Sequence, residues 1–192
     1  MNILTRIIKD DMKPALGVTE PGAIAFSVAK AKSYLEGEVE SIVVKLNSGI
    51  YKNAFTCGIP NSNEVGNSFA AALGVVAGKA EKGLESLENV TINDNKKAEQ
   101  LINEGKIKVL LDRISSDIFI ETEVKTKKDS CIVKIEGTHT NIVEISKNGE
   151  KIFSKELDKK EKSSEEVILH RYNLKDILDL SLIHISEPTR PY

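Results

Sequence analysis

Ile3, Leu4, Ile7 and Ile8 fall on one side of a helix and predict a short amphipathic helix over residues 1–11. A second apolar stripe, Ile24, Val28, Ala31 and Leu35, repeats at the same period behind Pro21. Ala25 and Ala29 within it leave room for close packing. Proline suits a first helical turn, and it biases the residue before it away from helical torsions. The pattern predicts a helix from Pro21 to about Leu35, stopped by Gly37, with Glu20 on the approach rather than in the body. Residues 39–46 are β-branched and partly alternating, and predict a strand with both faces at least half covered.

Residues 47–66 carry too many breakers for a continuous element. Phe69, Ala72, Leu73 and Val76 then predict a helix from Asn67 or Ser68 to Gly78. A short helix and turn follow over residues 79–90, and a further helix over 96–104 is ended by Gly105. From Ile107 the texture changes to strands, the first over residues 107–111. Ile118, Ile120, Thr122 and Val124 alternate with Phe119, Glu121, Glu123 and Lys125, and Cys131, Val133 and Ile135 repeat that half-buried pattern. Residues 141–147 and 151–153 flank Asn148-Gly149, a strong two-residue hairpin signal. Residues 155–166 read as a charged linker, and Ser163 or Ser164 with Glu166 as the start of a last helix. The fold class is α+β, with helices first and an antiparallel sheet after them.

The chain has 192 residues, 27 Lys+Arg against 29 Asp+Glu, and a formal net charge of −2. That length holds one domain with a real core. The balance of charge offers no electrostatic basis for a nucleic-acid partner or an anionic membrane. No apolar run is long enough to span a bilayer, and the N-terminus lacks the features of a signal peptide. Cys57 and Cys131 make neither a disulfide framework nor a complete metal site. Cys131, in register with Val133 and Ile135, reads as a buried structural thiol. A cytoplasmic protein is expected. The run from Leu180 to Arg190 resembles the in-frame translation of a transposase sequencing adapter, so residues 180–192 are set aside as a scar. Residues 174–178 then open a helix that a longer chain would continue, and residues 1–179 form an incomplete domain.

Three polar groupings carry candidate chemistry. Thr19 and Glu20 put a hydroxyl and a carboxylate at the positive end of a helix dipole, where they also serve as ordinary caps. The loop from Gly58 to Gly66 precedes a helix N-terminus, whose free N–H groups can bind an anion. It lacks the Gly-Lys-Ser/Thr ending of a nucleotide-binding loop, and it also reads as a simple turn. Gly137-Thr138-His139-Thr140-Asn141 joins two strands and offers an imidazole suited to proton transfer near neutral pH. Self-satisfied turn chemistry accounts for it as well.

The run Ala15-Leu16-Gly17-Val18-Thr19-Glu20-Pro21 before an Ala-rich helix resembles the N-terminal signature of the L-cysteine desulfidase family, related to the iron–sulfur L-serine dehydratases. The likeness continues through Lys52-Asn53-Ala54-Phe55, Gly58-Ile59-Pro60 with Gly66, Ala71-Ala72-Leu73-Gly74 and His139-Thr140-Asn141-Ile142-Val143, in the family's order. It departs at Val18, where the family has a cysteine. The resemblance implies a lyase that takes L-cysteine to pyruvate, ammonia and hydrogen sulfide, or L-serine to pyruvate and ammonia, by α,β-elimination. It implies a 4Fe–4S iron–sulfur cluster in the complete protein, with one thiolate at position 18 and the others in a helical C-terminal half. Val18 supplies none, so this chain is not expected to hold the cluster. The alternative is an amino-acid-binding module that lost the cluster. His139 and Glu20 are the expected catalytic residues, and Thr19, Asn53, Gly58, Gly66, Thr140 and Asn141 the expected substrate-binding ones. The expected partner is the amino acid, with no nucleic acid and no membrane, and homo-oligomerisation stays open.

Overall fold

A computed structural model describes residues 14–155, together with Ile3, residues 171–176 and residues 178–179. The chain divides into two units, Pro14–Glu156 and a second made of Met1–Lys13 with Leu157–Tyr192. In the second unit Ile3 is helical, and a helical turn opens after Asn173, as the apolar pattern predicts. There Asn173 Oδ1 accepts the N–H groups of Lys175 and Asp176, while Asp176 Oδ2 accepts that of Asn173. The rest of the expected first helix, most of the charged linker and the start of the last helix lie outside the described residues, as does the adapter-like run.

The first unit is α+β, and its strands form one six-stranded mixed sheet. These are β1 (Val39–Asn47), β2 (Ile107–Arg113), β3 (Phe119–Thr126), β4 (Ser130–Glu136), β5 (Ile142–Lys147) and β6 (Glu150–Ser154). Their order across the sheet is β2-β1-β3-β4-β5-β6. From β3 to β6 the sheet is the expected antiparallel meander, and its last hairpin turns on Asn148 and Gly149, both at positive φ. At the other end β1 and β2 pair in parallel, so the sheet is not wholly antiparallel. A parallel pair needs a crossover. Four segments fill it: α2 (Ser48–Ala54), α3 (Asn67–Val76), a 3-10 segment (Ala80–Glu85) and α4 (Ile92–Asn103).

Helix α1 (Thr19–Lys32) comes before β1 and packs across β3 and β4. Its residues from Pro21 to Ala29 are buried without interruption, because small side chains let α3, the 3-10 segment and the sheet approach from several sides. A Cβ at Gly74 of α3 would lie 2.6 Å from Ala25 O, and one at Gly22 would lie 3.2 Å from Leu84 O. Against α1 the sheet presents Ile42, Val44, Leu46, Ile120, Val124, Val133 and Ile135, all fully buried. Cys131 is buried with them, and burial pushes its thiol up to about 11. Between the two layers Ser27 and Thr122 share a buried hydrogen bond of 2.6 Å.

Several boundaries differ from the sequence pattern for local reasons. Helix α1 starts at Thr19, on an extended Val18 N-cap, so Glu20 belongs to its first turn rather than to its approach. Pro21 still falls among the first N–H positions, which have no acceptor inside the helix. The helix ends at Lys32, where the Lys32 ammonium donates to the carbonyls of Leu35 and Gly37. The breaker-rich passage hides α2, a two-turn helix that the density of polar residues obscures. Helix α4 starts at Ile92, four residues before the expected start, because Thr91 and Asp94 form a reciprocal capping box.

Candidate functional site

Four of the expected residues converge. The N-terminus of α1 carries Thr19 and Glu20, and no side chain caps it. Asn53 stands near the end of α2, and its Nδ2 donates to Glu20 Oε1 at 3.0 Å. Thr19 Oγ1 donates to Glu20 Oε2 at 3.2 Å. His139, half-buried in the turn between β4 and β5, lies close enough for each charge to shift the other. Burial pushes the Glu20 carboxyl up. Hydrogen bonds from Asn53, its own backbone and Thr19, with the His139 charge, outweigh that, and the net result lies below the ordinary value. For His139, burial holds the imidazole below its ordinary 6.5, and the Glu20 charge opposes this only in part. At neutral pH the pair is therefore a carboxylate beside a largely neutral imidazole.

The His139 turn is braced from the side. A Cβ at Gly83, in the 3-10 segment, would meet Thr140 Cγ2 at 3.8 Å. Gly83 has φ +54 and ψ −123, torsions that suit glycine alone. Thr140 thus sets the turn against a segment that also packs on α1. Asn141 is not part of the polar group. Its Nδ2 donates to Glu136 O at 2.9 Å within the turn and its Oδ1 accepts from Lys155, just beyond β6, at 3.3 Å, so both ends of the amide are engaged elsewhere.

The loop before α3 borders the same place. Gly58 bridges Val65, and the Gly66 N–H donates to Cys57 O at 3.2 Å. Gly66 is the N-cap of α3 at φ +95, where a Cβ would lie 2.8 Å from Phe55 O. No side chain caps α3, so its first N–H groups have no acceptor within the helix or from the N-cap side chain. Asn67 in that first turn is buried; its Nδ2 donates to Tyr51 O, and its Oδ1 has no partner among the described residues. Cys57 was not expected here. Its thiol donates to Asn53 O at 2.7 Å, which ties the loop to the residue that holds Glu20. The four-residue spacing from Asn53 to Cys57 is the signal that could have found it.

A cluster of the implied kind needs several thiolates around one point. Val18 has no lone pair, Cys57 is the one thiol on the segments around Glu20, and Cys131 sits in the sheet core. Among the described residues no group of three or more His, Cys, Asp or Glu side chains is placed to hold a metal ion. The donor set of the described residues does not fit an iron–sulfur cluster.

No family model matches the chain. No solved structure matches it either. Among curated proteins the likeness is to the UPF0597 proteins. One from Clostridium botulinum (strain Hall) is 37% identical over 188 residues, a match that takes in 97% of this chain and 43% of the relative. One from Caldanaerobacter subterraneus subsp. tengcongensis is 37% identical over 178 residues, 92% of this chain and 42% of its own length. The chain therefore spans about two fifths of the length of the curated relatives it matches. Their designation names neither a substrate nor a reaction. Among the described residues no helix is long and apolar enough to cross a membrane.

Proposed function

We propose that the group around Glu20 binds a small L-α-amino acid, with L-cysteine and L-serine as the first candidates. In this reading the chain is related to lyases of the L-cysteine desulfidase type but binds without turnover by itself. The observation that supports it most is the convergence of Asn53, Thr19 and His139 on one carboxylate from three separate parts of the chain. A zwitterion matches the charges there. Glu20 accepts the ammonium group, and the uncapped first turn of α3 receives the carboxylate. With Val18 as neighbour, nothing polarises the leaving sulfur or oxygen from position 18.

Elimination is the second reading, favoured by the place of the His139 imidazole beside Glu20, where burial keeps it neutral near pH 7. A neutral imidazole can take the α-proton, the C–H electron pair forms the Cα–Cβ double bond, and the β-substituent leaves with its own pair. The resulting enamine hydrolyses to pyruvate and ammonia. Calorimetry with L-cysteine and L-serine, paired with a pyruvate assay, separates the two. Heat of binding without pyruvate is the expected outcome; binding with pyruvate selects the lyase. Absence of both overturns the amino-acid reading. Glu20→Gln should weaken binding at least about tenfold, because a charge-assisted hydrogen bond is lost.

A further inference from the structure

Strand β2 forms one end of the sheet, and among the described residues it pairs only with β1. Lys106 O accepts the Ile42 N–H at 2.7 Å, so by alternation Lys108 and Leu110 also turn their peptide groups toward β1. Val109 and Leu111 turn theirs to the outer edge, where no described strand meets them. An unpaired edge is a template for another strand, and proteins often blunt it with a bulge. The far edge is blunted in this way, because the register of β6 against β5 shifts mid-strand, between Lys151 and Phe153. On β2, residues 107–111 stay in step with residues 42–46, and the shift comes only after Leu111.

The side chains along this edge fit a second copy of the same strand. Two identical strands meet antiparallel about a two-fold axis only when residues of like parity face each other, since successive side chains alternate faces. Centred on Leu110, that pairing sets Val109 against the partner's Leu111 and Lys108 against the partner's Asp112, each twice. Val109 and Leu111, whose amides face the edge, then make the hydrogen-bonded pairs, and the charges fall in the closer pairs between them. Leu111, 49% exposed at the open edge, is covered. Lys108 is exposed and makes no ion pair among the described residues. Asp112 holds Arg113 through Oδ2 at 2.8 Å, which leaves Oδ1 open. The Lys45 ammonium, held mainly by Glu121, also feels the Asp112 charge, as it would from the outer face that Lys45 shares with Lys108. Moving the register two residues either way sets Lys108 or Asp112 against the partner's Leu110 instead. We infer that β2 joins the β2 of a second copy of this chain, antiparallel about a two-fold axis at Leu110, and makes one sheet continuous across a homodimer.

The test is the mass of the full 192-residue chain by sedimentation over a concentration series, its fold checked by a dispersed amide spectrum. A reversible dimer is expected, weak because one strand edge is a small interface. Lys108→Glu sets a glutamate against the partner's Asp112, and Asp112→Lys sets a lysine against the partner's Lys108. Each alone should weaken dimerisation at least about tenfold, since like charges then meet twice across the axis. Mixing the two variants restores both unlike pairs, and a heterodimer should form about as tightly as the native dimer. A structural defect in either variant would not be repaired by mixing. A native chain that stays monomeric overturns the inference, as does an assembly larger than two. So does a dimer that either substitution leaves unchanged, or a mixture of folded variants that stays monomeric.

Discussion

Glu20 draws its partners from distant parts of the chain, and the two charges at its site can be read separately. Burial lowers the His139 pKa, while the Glu20 carboxylate raises it by favouring the imidazolium. Replacing Glu20 by glutamine removes the raising influence and keeps the burial. A carbon-detected NMR titration should therefore place His139 below 6.5 in the native chain and lower still in Glu20→Gln. An upward move would mean that the two side chains do not face each other. Thr19, Glu20 and His139 were legible in the sequence because each sits where an expected helix or strand ends, whereas Asn53 entered only through the resemblance, since α2 was hidden. Asn141 looked equivalent to them, yet its amide is taken up by Glu136 O in its own turn and by Lys155 beyond β6. Cys57 was marked only by its four-residue spacing from Asn53, because its partner is a backbone carbonyl of α2 rather than a side chain. Side-chain type names candidates; the turn geometry decides which of them meet.

Close helix contact governs stability at the scale of elements. Replacing a helical glycine by alanine ordinarily gains about 1 kcal/mol of helix propensity. At Gly74 the new methyl would meet the backbone carbonyl of Ala25 at 2.6 Å, and backbone cannot swing aside as a side chain can. Overpacking of this kind costs about 1–3 kcal/mol, so the steric effect wins. Urea unfolding should show Gly74→Ala destabilised by about 1–2 kcal/mol, while Gly58→Ala, with open space around it, stays within about 0.5 kcal/mol. A neutral Gly74→Ala would mean that α1 and α3 are held further apart. The sequence announced α1, α3 and the β3–β6 meander, because each has its own period and turn residues. It did not announce the parallel pairing of β1 with β2, separated by 59 residues between Asn47 and Ile107 in the chain. No local signal encodes that pairing; it follows from α2, α3 and α4 bridging the two strands. Helix α1 also shows only one stripe in sequence, while in the fold its small residues are covered on several sides.

At the scale of the molecule the two faces of the sheet respond differently to pH. The face away from α1 carries a ladder of ion pairs from β1 to β6, Lys45–Glu121–Lys134–Glu144–Lys151. Such partly exposed pairs contribute little each and are screened by salt. The groups that stand to matter more lie on the covered side. On the acid side His139 and Glu20 have lowered values in the folded chain, so the unfolded chain binds protons first as pH falls below about 6.5 and then about 4.5. Stability declines through that range. On the alkaline side Cys131 has the opposite sign. Its thiol ionises near 9.0 when unfolded but only at about 11 when buried, so the folded state holds the proton longer. Its contribution is complete below 9.0 and is lost as pH rises toward 11. Unfolding free energies from urea titrations across that interval should fall for the native chain, and the fall should be smaller by about 2 kcal/mol in Cys131→Ala. Lysine deprotonation along the ladder affects both proteins alike, so the difference between the two curves isolates the thiol. Parallel curves would mean that solvent reaches Cys131 through the sheet, and that the core beneath α1 is open at β4.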